Sequence, residues 1–337
     1  MRRRILVTGA AGFLGHHLVR RLARQGHWVR GVDIAAPRFE PTDADEFLVG
    51  DLRDADCART ATRGVDEVYA LAADMGGMGY ISAHQSRILH DNALINLNTI
   101  EAARLNGVAR YLLTSSACVY PEFLQTTSDA SALREDDAYP ARPQEAYGWE
   151  KLIAERLCTH YREDYGIETR IARLHNVFGP LCAWTGGREK APAAICRKVA
   201  VAKLTGAREI DVWGDGEQTR SFCYIDDGVE GLTRLMASEY RDPVNIGHDR
   251  SVTINQLADI VSAIAGVGPA RRHIAGPQGV RGRNSDNSRL RAALGWTPQV
   301  SLEDGLSRTY AWIEAQVRLQ LASASAGYRG AAAVSDR

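Results

Sequence analysis

The feature that most restricts the fold lies at the start of the chain. An apolar run, Ile5-Leu6-Val7, leads into Thr8-Gly9-Ala10-Ala11-Gly12-Phe13-Leu14-Gly15 and then a helical pattern over 13–25. Glycines at GxxGxxG spacing permit a tight strand-to-helix turn and let backbone N–H groups at the helix start meet a pyrophosphate. A glycine triplet alone is weak evidence. Here it follows a strand, opens a helix, and is answered by Asp33 at the end of the next apolar run. An acidic residue there hydrogen-bonds the ribose 2′-hydroxyl and repels a 2′-phosphate, which favours NAD over NADP. Gly50-Asp51-Leu52-Arg53 ends the third run and suits the adenine. The expected NAD site is therefore Gly9, Gly12, Phe13, Leu14, Gly15, Asp33, Asp51 and Leu52.

The rest of the first half repeats this grammar. Strands are expected at 4–8, 28–33, 47–50, 67–72, 109–114 and 168–173, and helices at 13–25, 86–106 and 145–165. Such alternation implies an α/β fold with a Rossmann-type, doubly wound parallel sheet. After about residue 174, Gly, Pro and Arg crowd between short helices near 189–205, 226–238, 253–265 and 302–317. This texture predicts a smaller C-terminal α/β domain for a substrate. The expected division gives 1–173 plus about 210–248 to NAD, and about 174–209 plus 249–320 to substrate. A small-residue-rich mobile tail is expected over 321–337.

Composition narrows the partners. Forty-one basic and 41 acidic side chains cancel, against a nucleic-acid-binding or polybasic membrane-surface protein. No apolar run approaches the roughly 18 residues of a membrane span. Met1-Arg2-Arg3-Arg4 before an apolar stretch resembles a signal peptide, but Gly9, Gly12, Gly15 and His16-His17 interrupt it. Six scattered cysteines without a CxxC pair predict reduced thiols and no metal site. A cytoplasmic protein is expected. Among the basic residues only Lys151, Lys190, Lys198 and Lys203 are lysines.

Tyr147 and Lys151 stand at i and i+4, on one helix face. A cation beside a tyrosine lowers the phenol pKa, so the phenolate can serve as a base near neutrality. Ser115-Ser116 follows the apolar strand 109–114, at the carboxyl end where open α/β sheets bind ligands. With its Ser/Tyr/Lys set and this glycine turn the chain resembles the short-chain dehydrogenase/reductase superfamily, in its extended, sugar-nucleotide-modifying branch.

Neighbouring strings sharpen the match. The chain reads Ala72-Ala73-Asp74-Met75-Gly76-Gly77-Met78-Gly79 and Ser115-Ser116-Ala117-Cys118-Val119-Tyr120-Pro121. It continues with Gly186-Gly187-Arg188-Glu189-Lys190-Ala191-Pro192, Trp213-Gly214-Asp215-Gly216-Glu217-Gln218-Thr219-Arg220-Ser221 and Gly279-Val280-Arg281-Gly282-Arg283-Asn284-Ser285-Asp286. From about residue 4 to about 317 the chain closely resembles the GDP-mannose 3,5-epimerases, known chiefly from plants. The resemblance implies transient oxidation of sugar C4 with bound NAD, Tyr147 removing the hydroxyl proton, Ser116 assisting, and Lys151 on the nicotinamide ribose. It implies that Cys118 and Lys190 form the acid/base pair inverting C3 and C5 beside the C4 carbonyl. Substrate contacts are implied at Gly76, Ser116, Ala117, Cys118, Tyr147, Asn176, Glu189, Lys190, Lys198, Gln218, Arg220 and Arg281. The product would be GDP-L-galactose, with GDP-L-gulose for inversion at C5 alone.

Each residue has a plainer reading. Cys118 alone is a strand-end thiol, Lys190 a helix-start charge, Asn176 a turn former, and Arg188 and Glu189 a cap or screen for the helix. His175 reads as structural. A 4,6-dehydratase would show an acidic pair near Ser116–Cys118, where Ala117-Cys118 offers none. A simple C4-epimerase would not need Cys118 and Lys190. The rivals that remain are an isomerase of another GDP-sugar and a non-catalytic nucleotide-sugar-binding protein. Family members of this kind dimerise through helices matching 86–106 and 145–165, so a homodimer is expected. The stripe Ile88, Ile95, Leu105 suits either that interface or the core.

Overall fold

The computed structural model describes residues 2–332, with side chains described through Ser323. The first half builds β1 (Arg4–Thr8), α1 (Phe13–Arg24), β2 (Trp28–Asp33), β3 (Glu46–Val49), α2 (Ala55–Thr62) and β4 (Glu67–Ala70). Next come α3 (Met78–Ala83), α4 (Gln85–Leu105), β5 (Arg110–Ser116), α5 (Glu145–Tyr165) and β6 (Glu168–Leu174). Alternating side chains explain why these runs are strands buried on both faces. Ile5 and Val7 of β1 join one apolar cluster with Leu18, Val19 and Leu22 of α1. Leu6, between them, joins the opposite cluster with Ala58 and Ala61 of α2, Ile100 of α4 and Ala154 of α5.

The second half contributes β7 (Val177–Phe178), α6 (Ala191–Thr205), β8 (Glu209–Trp213), β9 (Thr219–Ser221), β10 (Cys223–Tyr224), α7 (Ile225–Ala237) and β11 (Val244–Ile246). It ends with β12 (Ser251–Thr253), α8 (Ile254–Ala265), β13 (Ala270–Ile274), β14 (Gly282–Arg283), α9 (Ser288–Leu294) and α10 (Leu302–Ala332). The main sheet has seven strands in the order β11-β6-β5-β4-β1-β2-β3, all pairs parallel. This is the doubly wound order whose switch point lies between β1 and β4, the place where such sheets bind dinucleotides.

β10, α7 and β11 carry the chain back to the main sheet, where β11 pairs with β6. β8, which falls inside the 210–248 span, pairs with β13 of the smaller layer, so the return begins later than residue 210. β9 lies between β12 and β14, and Arg220 and Arg283 of this three-stranded piece line one cavity with Ser116 and Leu174 at the carboxyl ends of β5 and β6. α10 continues as helix through Ala332, over residues where composition predicts a mobile tail; residues 333–337 lie outside those described. Alanine, frequent there, is the best helix former. No described helix is long and apolar enough to cross a membrane.

Candidate active site

Two adjoining cavities open at the carboxyl edge of the sheet, of about 560 Å³ and about 300 Å³. The larger is lined by Gly9, Gly12, Phe13, Leu14, Gly15, Asp33, Asp51, Leu52, Tyr147 and Lys151, every residue expected to hold NAD. Its floor is the turn from β1 to α1. Gly9 has φ +66°, and a Cβ on Gly15 would stand 2.1 Å from the Gly9 carbonyl oxygen, so only glycine lets the helix start this close. Thr8 Oγ1 ties the turn to the end of β4 by accepting the N–H groups of Leu71 and Ala72, both at 3.0 Å. α1 begins at Gly12 with no side-chain cap and no acidic residue in its first turn. Its N-terminal N–H groups and dipole therefore face the cavity uncancelled, which suits a pyrophosphate.

Asp33 accepts the Ala11 N–H at 3.0 Å through Oδ2 and edges the ribose position. Asp51 is held by Arg53, whose guanidinium keeps its carboxyl below the usual range and also reaches Asp91 at 2.8 Å. The donor set and glycine cradle fit NAD.

Ser116 ends β5, and its hydroxyl accepts the Cys118 N–H at 3.2 Å, turning the chain into a short 3-10 turn over Ala117–Val119. The Cys118 carbonyl accepts the Gln144 N–H at 3.0 Å, where α5 begins. A Cβ on Gly148 would lie 2.2 Å from that carbonyl oxygen. Glycine after Tyr147 thus lets the first turn of α5 press the phenol toward Ser116 and Cys118. Ser116, Cys118, Tyr147, Asn176 and Lys190 all line the smaller cavity, and all but Cys118 line the larger one too.

The electrostatics at Tyr147 differ from the sequence expectation. Burial raises the phenol pKa well above its ordinary value, charges at Glu150 and Cys118 add to this, and a hydrogen bond with Ser116 opposes it. Lys151 is buried with its Nζ 5.6 Å from the Tyr147 ring centroid, but it also lies 3.5 Å from the Glu150 carboxylate. Glu150 is fixed by Asn92 and Asn96, each donating at 3.0 Å. The ammonium is shared with a carboxylate, so in this structure it does not lower the phenol as spacing alone predicts. A cationic nicotinamide in the larger cavity would add the positive charge the phenol lacks.

Lys190 is the N-cap residue of α6, and Pro192 in the first turn commits the chain to helix just beyond it. Burial lowers the Lys190 pKa, with Cys118 and Cys182 acting in the opposite sense. Arg188 neither caps nor screens α6. It reaches across to Asp74 Oδ1 at 2.8 Å and the Met75 carbonyl at 3.1 Å, and stacks 3.8 Å over the Tyr80 ring. This strap pins the loop carrying Lys190 to the loop after β4. Glu189, half-buried, accepts from Gly187 N–H and Arg197.

Gly76, Ala117, Glu189, Lys198, Gln218 and Arg220 also line the smaller cavity. Lys198 donates to the Asp211 carbonyl at 2.6 Å and lies 6.0 Å over the Trp213 ring; burial lowers its pKa. Gln218 donates to the Trp213 carbonyl, while its own Oε1 is buried without a described partner, which leaves it able to accept from a ligand in the cavity it lines. Among the described residues Arg220 donates only to carbonyls, those of Thr219, Gln278 and Val280. Burial and the neighbouring Arg283 push its pKa down to about 9. An anion in the cavity would relieve both effects. Asn176 sits at φ +43° and donates to the Ser221 carbonyl at 2.9 Å.

Arg281 is the exception. It does not line the cavity; Asp215 holds it in a bidentate pair at 2.7 and 2.9 Å. Arg283, two residues on, lines the cavity instead. Sequence reasoning missed it, along with Gln144, Glu150 and the Arg188–Asp74 strap. The signal available was the stretch 270–291, with six arginines against Asp286 alone. His175 is buried, donates through Nε2 to Asn245 Oδ1 at 3.0 Å, and has its pKa pushed down to about 3 by burial, a neutral structural residue.

Fold and site together define a dinucleotide-binding α/β enzyme with a second cavity, lined by Lys190, Lys198, Arg220 and Arg283, beside the dinucleotide cavity. The chain belongs to the NAD dependent epimerase/dehydratase family, whose model matches residues 5–247. It is 48% identical to the GDP-mannose 3,5-epimerase of Arabidopsis thaliana, over 96% of this chain and 85% of that protein. It is 50% identical to GDP-mannose 3,5-epimerase 1 of Oryza sativa subsp. japonica, over 93% of this chain and 82% of that protein. Among solved structures it matches a UDP-glucose 4-epimerase with UDP-glucose from Thermotoga maritima, with TM-score 0.83 and 26% identity, over 93% of this chain and 99% of that one. A Thermus thermophilus UDP-glucose 4-epimerase complex with NAD matches with TM-score 0.80 and 25% identity, over 92% and 98%.

Proposed function

We propose that this chain is a GDP-mannose 3,5-epimerase, converting GDP-D-mannose to GDP-L-galactose, with GDP-L-gulose as the C5-only product. The observation that carries the reading is the meeting of Cys118 and Lys190 in one cavity with Ser116 and Tyr147. A C4-epimerase needs the second pair but not the first. Identity near 50% to named GDP-mannose 3,5-epimerases supports the particular sugar nucleotide.

Bound NAD supplies the hydride acceptor, and afterwards the donor, at sugar C4. Tyr147, hydrogen-bonded to Ser116, takes the proton from the C4 hydroxyl and later returns it. Lys151 orients the nicotinamide ribose. A C4 carbonyl makes the hydrogens on C3 and C5 acidic, and Cys118 and Lys190 then remove and deliver protons at those carbons. Two groups on different elements, the turn after β5 and the start of α6, serve opposite faces of one ring, as inversion requires. Arg220, Lys198 and Gln218 hold the nucleoside diphosphate, with guanidinium suited to phosphate oxygens. In this reading 1–173 with the return through β10, α7 and β11 serve NAD, and the remaining segments, which carry Lys190, Lys198, Gln218 and Arg220, serve the GDP-sugar.

The enzyme works as a homodimer through α4 and α5. Ile88 is fully buried beside Tyr147, and Ile95 packs into the core, so the two do not form the interface stripe considered from sequence. The exposed apolar residues are Leu89, Leu97 and Leu105 on α4 and Trp149, Ile153 and Tyr165 on α5. Such a face on two adjacent helices suits burial against its own copy.

Product analysis by NMR tests the substrate. With a panel of GDP-hexoses, GDP-mannose should turn over fastest and yield GDP-L-galactose. Faster epimerisation of another GDP-sugar would transfer the reading to that sugar, and no turnover of any, with NAD bound, would revive the non-catalytic rival.

A further inference from the structure

Two loops meet at the rim of the larger cavity, and three side chains lock them together. One loop follows β4 and the other precedes α6; Asp74 and Met75 of the first and Arg188 and Lys190 of the second line that cavity. Arg188 keeps 42% of its side chain exposed, which puts it at the rim. Its Nη1 donates to Asp74 Oδ1 at 2.8 Å and to the Met75 carbonyl at 3.1 Å, and its Nη2 donates to the Tyr80 hydroxyl. That hydroxyl donates to the Asp74 carboxylate, 2.9 and 3.0 Å from its two oxygens, so guanidinium, carboxylate and phenol close a ring. The backbones touch as well. Gly77 N–H donates to the Arg188 carbonyl at 3.1 Å, and a Cβ on Gly77 would stand 2.6 Å from the Glu189 carbonyl oxygen.

The two sides are held differently. Asp74 is anchored to α4 by the buried Asn92, which accepts the Asp74 N–H at 2.6 Å and donates to its carbonyl at 3.1 Å. On the other side Gly186 and Gly187 have φ +93° and +85°, and a Cβ on either would meet no described atom within 4 Å. Backbone conformation, not a close approach, therefore asks for glycine there, and glycine is the freest pivot a chain has. We propose that Arg188, Asp74 and Tyr80 form a latch on the NAD cavity, with Gly186-Gly187 as its hinge, whose opening limits how fast the cofactor exchanges. A hinge of this kind is a few loop residues that absorb a change in φ and ψ while the loop beyond them closes a site. A single exposed ion pair contributes little to stability, but a network with good geometry holds a conformation. The use of the latch rests on the reaction proposed above. Hydride taken from C4 must come back to C4, so an enzyme that let the cofactor go between the two transfers would strand an oxidised sugar.

The test is exchange of radiolabelled NAD out of the loaded enzyme into an excess of unlabelled NAD, with no sugar nucleotide present. R188Q should lose the label about tenfold faster than wild type, while melting within about 4 °C of it because the pair is exposed. D74A should also lose the label about tenfold faster, although it leaves the guanidinium in place. An Arg188 that instead gripped a cofactor phosphate would keep the label in D74A as long as wild type does. The double variant R188Q/D74A should exceed either single by less than about twofold, since each single already opens the same latch. Exchange in R188Q within about twofold of wild type overturns the proposal. So does wild-type retention in D74A beside fast loss in R188Q, and so do factors that multiply in the double variant. If R188Q or D74A does not fold, Y80F decides. Removing the hydroxyl that joins the two charges should speed exchange about threefold, and unchanged exchange overturns the latch. The assay contains no substrate, so a failed GDP-mannose turnover removes the sugar and leaves the latch, while slow exchange in R188Q removes the latch and leaves the sugar.

Discussion

Replacing Lys190 with arginine is expected to lower proton exchange at C3 and C5 of GDP-mannose by about 10²–10⁴-fold, the usual contribution of a positioned acid or base. GDP-mannose affinity should stay within about threefold. The substitution keeps the positive charge at the start of α6 but removes the ability to give up a proton near neutrality, since guanidinium stays protonated. Burial already moves the Lys190 pKa below the 10.5 of a free lysine. The ammonium form is therefore lost at a lower pH than in water, and the alkaline limb of the wild-type rate should lie below that value. Unchanged exchange in K190R takes Lys190 out of the chemistry. The strap from Arg188 to Asp74 makes the result interpretable, because it fixes the loop independently of the Lys190 side chain.

Tyr147→Phe should abolish exchange at both carbons, by about 10²–10⁴-fold or more, although Tyr147 is assigned no role at C3 or C5. The reason is order. C3 and C5 hydrogens become acidic only after C4 is oxidised, and that step needs the phenol oxygen to take the C4 hydroxyl proton. The ring itself packs with Ile81 and Ile88, so phenylalanine keeps the core and loses only the hydroxyl. Thermal stability and NAD content should hold while turnover disappears. Retained C5 exchange in Y147F would mean that the carbon acid is activated some other way, and the oxidation-first order would be wrong. Because burial raises the Tyr147 phenol, its ionisation has to be coupled to a positive charge arriving in the neighbouring cavity, rather than supplied by Lys151 alone.

Much of this was readable from local pattern. The strand–glycine–helix turn, Asp33, and the i, i+4 pair Tyr147 and Lys151 are local arrangements, and local arrangement is what spacing encodes. Ser116, Cys118 and Lys190 lie far apart in sequence, and their meeting followed from resemblance to a family. What spacing left undecided depends on tertiary neighbours. Arg281 and Arg283 stand two apart in one arginine-rich stretch, and only the position of Asp215 decides which of them is taken up at the surface and which reaches Cys118. Ile88 and Leu89 are adjacent on α4, yet one is buried beside Tyr147 and the other exposed, a helix phase that composition does not set. Lys151 finds Glu150, the residue before it, and two asparagines from α4 make that carboxylate a buried partner. No i, i+4 rule foresees that. β11, three residues long, is too short to register as a strand until β6 is there to pair with it.

The scarcity of lysine gains meaning in the site. Lys151, Lys190 and Lys198 line its two cavities, in a chain that otherwise uses arginine. Buried lysine can shift its pKa and take part in proton transfer or hold a ribose as a compact charge. Arginine is kept for positions that need permanent charge or a planar fork, such as 188, 220 and 283.

The most direct measurement is incubation of the purified enzyme with GDP-mannose in D₂O, with isotope located by NMR. Deuterium at both C3 and C5, with C4 retaining its original hydrogen and GDP-L-galactose accumulating, is the predicted result. Epimerisation without solvent deuterium at C3 or C5, or no product at all from enzyme that carries NAD, would contradict the account.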